Sequence, residues 1–207
     1  MLDEFLATSH AAVARSPGSV HDAQGALAAR ARGVFAIPVG AIFMLAASIG
    51  AAQADRLRLA PETSAEVCFT PAEDCTGLIA RRLAAAHRSL LVQAYRLSAP
   101  AIVDALLAAR GRGVEVRVLL DRSDRASHGV AALVAAGIPV RIDDQVRIAH
   151  DKVFVIDGMS VITGSLNATA AARRNAENVL IVDDAGLARR YAQNWQRRAA
   201  AAQPFGP

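Results

Sequence analysis

The chain has few aromatic residues, almost no lysine and only two cysteines. Aromatics make up 4% of its 207 positions, although hydrophobic residues make up 53%. With alanine dominating, this excludes a core built on large rings and favours small-residue helices lying close against a flatter layer, an α/β arrangement. Cys68 and Cys75 have no histidine near them in the sequence, so they offer too few ligands for a structural zinc site. Of the 23 basic residues, 22 are arginine and one is lysine, Lys152. The net charge of +4 fits a polyanionic partner such as nucleic acid or an anionic membrane surface, and equally a generically basic protein. Charge alone does not choose between them.

Composition shifts along the chain. Residues 1–29 carry Pro17-Gly18 and a short alanine-rich run without an apolar face. They read as disordered, or as an extension upstream of the true start, with Val20 as an alternative initiator. Arg30 and Arg32 precede the apolar run Val34 to Ile49, and Ala52-Gln53-Ala54 follows as a small-x-small site. Residues 30–54 therefore read as a secretory signal peptide cleaved after Ala54. The alternative is an uncleaved membrane anchor, since the uncharged interval 33–54 is long enough to span a bilayer; Pro38 and Gly40 within it favour removal. The expected location is periplasmic or secreted or, with the segment retained, membrane-anchored and facing outside the cytoplasm. In such an oxidising compartment Cys68 and Cys75, flanking the short polar loop FTPAED, form a disulfide. Closing so small a loop contributes about 2–3 kcal/mol on the chain-entropy view.

Residues 55–207 have the length of one domain. Their periodicity predicts strands at 66–69, 89–96, 114–120, 140–142, 148–156, 160–163 and 178–182. It predicts helices at 76–87 with Thr76 as cap, 100–110, 127–136 with Ser127 as cap, 168–174, and 186–202 with Trp195 facing inward. Such alternation implies a mixed, largely parallel sheet with helices on both faces. No tandem repeat is present.

The chemistry is concentrated between His150 and Val182. On a strand, His150 and Lys152 point the same way. Asp157-Gly158 is a turn signal, with Asp157 fixing the turn in support of the site. Gly164-Ser165-Leu166-Asn167 leads into the alanine-rich helix, whose first backbone N–H groups, with Ser165 and Asn167, form an anion site. A neutral imidazole at His150 can attack phosphorus as a nucleophile when a carboxylate holds its other nitrogen, and Glu177 is the nearest candidate. Lys152 and Asn167 suit the equatorial oxygens, where charge concentrates in the transition state. Ser165 serves either as a helix cap or as a phosphate contact or support. Arg173 and Arg174 suit backbone phosphates of the substrate. His87 and His128 read as structural. This chemistry calls for neither metal nor cofactor.

The pattern H-x-K-x4-D, then six residues and G-S-x-N, resembles the HKD motif of the phospholipase D superfamily. It is met by His150, Lys152, Asp157, Gly164, Ser165 and Asn167, with Glu177 in the downstream N-A-E-N segment. A looser likeness runs from Ala65 to about Trp195, and one motif in a compact chain looks most like the single-HKD bacterial endonucleases. The resemblance implies a phosphodiesterase in which one histidine forms a phosphohistidine and a second protonates the leaving oxygen. One lysine cannot furnish two motifs, so it also implies a homodimer with the active site across its twofold axis. Leu166 and Ala168 stand where many relatives carry aromatics, a departure that touches substrate stacking. The expected function is that of an exported, metal-independent, non-specific endonuclease acting on DNA and/or RNA. Two alternatives stand beside it. One is a phospholipase D-type lipid phosphodiesterase, against which the 55–207 region has no strongly apolar surface helix. The other is a catalytically inactive nucleic-acid-binding module.

Overall fold

In the computed structural model, which describes residue 54 and residues 56–206, the strands follow one another as β1 (Ser64–Thr70), β2 (Ser89–Ala94), β3 (Glu115–Asp121), β4 (Val140–Asp143), β5 (Lys152–Ile156), β6 (Ser160–Gly164), β7 (Glu177–Asp183) and β8 (Gln203–Phe205). They pair into a single sheet in the order β1-β7-β6-β5-β2-β3-β4-β8. The helices are α1 (Cys75–Ala84), α2 (Pro100–Gly111), α3 (His128–Ala135) and α4 (Ala185–Ala201). The expectations for residues 1–29 and for the segment ending at Ala54 lie outside the described residues, Ala54 itself excepted. Among the described residues no helix is long and apolar enough to cross a membrane.

Two crossovers, β2-α2-β3 and β3-α3-β4, make the parallel part of the sheet. The remaining pairings, β1–β7, β2–β5, β4–β8, β5–β6 and β6–β7, are antiparallel. The sheet is therefore mixed as expected, but antiparallel pairs outnumber parallel ones, which corrects "largely parallel". Beyond β4 the one tight link is the turn between β5 and β6, which permits only an antiparallel pair.

Alternation along the strands feeds two cores. One face packs Leu90, Val92, Val116, Val118, Phe154 and Ile162 against α1, α2 and α3 through Ile79, Leu83, Ile102, Leu106 and Leu133. The other packs Leu91, Leu119, Val153, Val155 and Val161 against Ala188, Trp195 and Ala199 of α4. Trp195 is buried as expected, and its indole Nε1 donates to the Val92 carbonyl at 2.8 Å. Burying so large a ring is favourable because its one polar atom keeps a partner.

The termini of the elements follow local chemistry. Ser127 caps α3, its hydroxyl accepting from Val130 N at 3.2 Å. α1 is capped by Asp74, which accepts from Gly77 N at 3.0 Å, and not by Thr76. Cys75 already belongs to the helix because the Cys68–Cys75 disulfide ties its first turn to β1. β8 has no counterpart in the sequence reading. It is three residues long, contains Pro204, and forms only by pairing with β4.

The register brings several chain ends together at one end of the sheet. There the last residue of β2, Ala94, faces the first of β5, Lys152. Gly164 of β6 faces Val179, and Thr70 of β1 faces Glu177, the first residue of β7. Asp121 and Asp143 close β3 and β4 at this same end. Crevices beyond the carboxyl ends of parallel strands are where open α/β sheets bind ligands.

Candidate active site

His150 lies not in β5 but in the loop before it, because β5 begins only at Lys152. The loop is held from both sides. The buried Asp121 carboxylate, at the end of β3, accepts from Ala149 N at 2.7 Å and from Ser123 N and Oγ at 2.9 and 2.6 Å. Burial works to raise its pKa, but these bonds and the Arg122 charge outweigh it and hold the carboxyl below the usual range. On the other side the buried Gln93 donates from Nε2 to Asp151 Oδ2 at 2.7 Å, and Tyr95 N donates to the Asp151 carbonyl at 3.0 Å. His150 is thus exposed but anchored at both neighbours.

Lys152 and His150 meet as their spacing anticipated. The ammonium Nζ lies 3.0 Å from Nδ1 and 3.1 Å from Nε2 of the imidazole, and donates to the His150 carbonyl at 2.7 Å. Tyr95 completes the group: its ring centroid is 4.7 Å from that of His150, and the Lys152 and Arg96 cations lie 5.4 and 5.2 Å from its centre. Lys152 is buried, which draws its pKa below the ordinary lysine value, while the charges of Asp151 and Glu177 oppose the shift. A desolvated ammonium beside an exposed imidazole is a small, fixed anion-binding point.

The G-S-x-N stretch runs out of β6 into the same region. A side chain at Gly164 would place its Cβ 2.2 Å from the Asn178 carbonyl oxygen, so β6 and β7 can approach this closely only with glycine here. Ser165 Oγ donates to Glu177 Oε2 at 2.5 Å and accepts from Asn178 N at 3.0 Å. It braces two strand ends and does not cap a helix. Residues Ala170–Arg174 form a short 3-10 helix instead of the expected α-helix, with no side-chain cap. Ala168 pairs with Leu97 in an isolated bridge and β7 begins at Glu177, so both ends of the segment are fixed by partners outside it. The expected anion site at a helix start is accordingly not formed. Asn167 lies in this loop with its Oδ1 buried and without a hydrogen-bond partner. Such an atom is costly unless a ligand or a second chain supplies a donor.

Glu177 was expected to orient His150, and that hydrogen bond is not formed. Its two oxygens accept from Ser165 and, at 3.0 Å, from Asn175 Nδ2. Its own N–H donates to Thr70 Oγ1 at 3.1 Å, and that hydroxyl donates to the Asn175 carbonyl. Asp157 lies at the opposite end of β5, beyond Ile156, in the turn to β6. There it accepts from the backbone N–H groups of His87, Arg88 and Ser89 at 3.0, 2.7 and 2.8 Å. Burial raises its pKa, but the three amides and Arg88 prevail and the net shift is downward. Asp157 is therefore a fold residue, and His87 and His128 are exposed with no part in this group. Arg173 and Arg174 are exposed on the 3-10 helix near the Glu177 end of the site. Sequence reasoning missed Gln93, Tyr95, Arg96 and Asp121, which carry no motif of their own and become visible only through the strand register.

Comparisons with known proteins agree with this geometry. A family model described as "Cardiolipin synthase, PLD-like domain" matches residues 79–199. A protein named phospholipase D from Rickettsia conorii is 49% identical over 136 residues, 64% of this chain and 68% of that protein. A mitochondrial cardiolipin hydrolase from Xenopus tropicalis is 40% identical over 115 residues, 54% of this chain and 55% of its own length. Among solved structures, Nuc from Salmonella typhimurium, described as a phospholipase D family member, superposes with a TM-score of 0.67 at 33% identity, covering 70% of this chain and 100% of that one. NucT from Helicobacter pylori shares the fold at a TM-score of 0.62 and 19% identity.

Proposed function

The chain belongs to the phospholipase D superfamily and is a phosphodiesterase of that superfamily, and from this premise we propose that it is an exported, metal-independent endonuclease acting on DNA and/or RNA as a homodimer. The observation that carries the reading is the fixed contact between His150 and Lys152 at an open, arginine-rimmed end of the sheet. Lys152 and Asn167 hold the non-bridging oxygens of a phosphodiester. The His150 imidazole attacks phosphorus, a P–N bond forms, and the P–O bond to the leaving group breaks. The leaving oxygen takes a proton from the imidazole of a second copy. Water, giving its proton to that same imidazole, then cleaves the P–N bond and releases the product.

Two features support export: the signal-like residues 30–54 and the Cys68–Cys75 disulfide, which persists in oxidising compartments. The chain's single lysine supports the dimer, and the unpartnered Asn167 Oδ1 fits a site completed by ligand or partner. A lipid phosphodiesterase is the second reading, favoured by the names of the relatives from Rickettsia and Xenopus. Against it, the loop carrying His150 exposes one large apolar side chain, Ile148, little for docking on a lipid surface.

The deciding experiment is plasmid nicking by the protein in EDTA, beside His150→Asn and a phospholipid headgroup-release assay. The nuclease reading expects nicking in EDTA and a loss of about 10³-fold or more in the variant. Nicking abolished by EDTA, or retained by His150→Asn, contradicts the mechanism. Headgroup release without nicking selects the lipid reading.

A further inference from the structure

We propose that Arg122, Arg125 and Arg147, with Arg96 at their inner edge, form a second phosphate-binding site beside His150 that takes the flanking phosphates of a polynucleotide. The proposal rests on the nuclease reading and names how that substrate is held. These arginines come from the loops that follow β2, β3 and β4, and the loops are fastened to one another. Arg122 Nη2 donates to the Arg147 carbonyl at 3.0 Å, Arg96 Nη1 donates to the Ser123 carbonyl at 3.1 Å, and Ala149 N is held by Asp121. Arg147 is three residues from His150, which limits their backbone separation to about 11 Å even when fully extended. The loops carrying Arg96, Arg122 and Arg147 therefore border the reacting histidine, and Arg125 follows three residues after Arg122.

Of the acids in these loops, Asp144 is half-buried and accepts from Gln145, Asp151 is exposed and accepts from Gln93, and the other three are turned inward. Asp121, Asp124 and Asp143 are buried. Asp121 is spent on Ala149 and Ser123, Asp124 accepts from Leu97 N at 2.8 Å, and Asp143 is paired with Arg198 of α4 at 2.5 Å. Arg96 is the one member of the group with a salt bridge, at 3.7 Å to Asp124. Arg122, Arg125 and Arg147 are exposed and make no salt bridge among the described residues. Guanidinium forks presented this way match phosphate oxygens and fix a strand without reading its sequence. A headgroup with a single phosphodiester fills the His150–Lys152 point and leaves the arginines idle; a polynucleotide uses both.

The test compares two substrates on one protein. The double variant Arg122→Gln/Arg147→Gln and the single variant Arg125→Gln are assayed on a single-stranded oligonucleotide and on bis(p-nitrophenyl) phosphate. Arg125 donates no hydrogen bond to the neighbouring loops, so its removal separates charge from loop bracing. For the double variant the expected results are a KM for the oligonucleotide raised about 10–100-fold, and a salt slope of binding reduced by about 1.4, the contribution of two phosphate contacts on a single strand. Arg125→Gln should shift both measures the same way by about half, and its hydrolysis of the small diester should stay within about twofold of wild type. Equal loss on both substrates in Arg125→Gln, an unchanged salt slope, or weakened binding to anionic vesicles with the oligonucleotide unaffected overturns the proposal. Wild-type protein that hydrolyses the small diester but cuts no nucleic acid refutes the nuclease reading itself. Wild-type cutting with unaltered variants refutes only the arginine site.

Discussion

Lys152 illustrates how one side chain carries both the cost and the purpose of the site. Burial weakens its hold on the proton, and its contacts with the His150 carbonyl and ring show why the ammonium is kept there. Because the group must be charged to bind an anion, and its pKa lies below the ordinary lysine value, activity that depends on it is lost as pH rises through that lowered value. The alkaline limb of the kcat/KM profile should therefore fall below the usual lysine range. Lys152→Arg should carry that limb beyond the accessible pH while lowering the rate about 10–1,000-fold, since a planar fork does not fit a point held by one carbonyl and one imidazole. An unmoved limb in the variant would assign it to another group. The sequence made Lys152 legible because it stands alone among arginines. Gln93 within β2 and Tyr95 just after it were illegible because nothing in a buried strand announces that they reach Asp151 and His150, more than fifty positions away.

At the level of elements, the β5–β6 hairpin sets the site's distance from its anchor. Asp157, with φ +54°, and Gly158, with φ +68°, turn the chain, and the Asp157 carboxylate gathers three amides of the α1–β2 connection. Asp157→Asn should destabilise the fold by about 1–2 kcal/mol at neutral pH, the lower part of the range for charge-assisted bonds because the group is half-exposed. The folded-state pKa is depressed, so this contribution is present above the unfolded carboxylate value of about 3.9 and disappears as pH falls through the lower folded value. Urea melts of both proteins between pH 3 and 7 would show it; a gap that stays constant on acidification would remove Asp157 from that role. The turn, the strands and most helices were readable because apolar periodicity and Gly or Ser punctuation are local signals. The 168–174 segment misled because alanine content favours a helix, whereas Leu97 and β7 claim its neighbours from a distance. β8 was unreadable for the same reason: its pairing depends on β4, not on its own three residues.

For the whole molecule, the decisive fact is that one chain brings one His150 and one Lys152. If the working unit is a dimer sharing a site, excess His150→Asn chains exchanged into wild-type protein should depress nicking below simple dilution, because mixed pairs lack one of the two imidazoles. Activity strictly proportional to the wild-type chains present would mean that each chain works alone. The same end-to-end polarity of the sheet gives the protein a rear side. The turn at Gly158 and Met159 is exposed and stands at the far end of β5 from His150, stiffened underneath by Asp157. A fluorophore or surface linker attached there would report on or immobilise the protein while leaving the reactive end unobstructed.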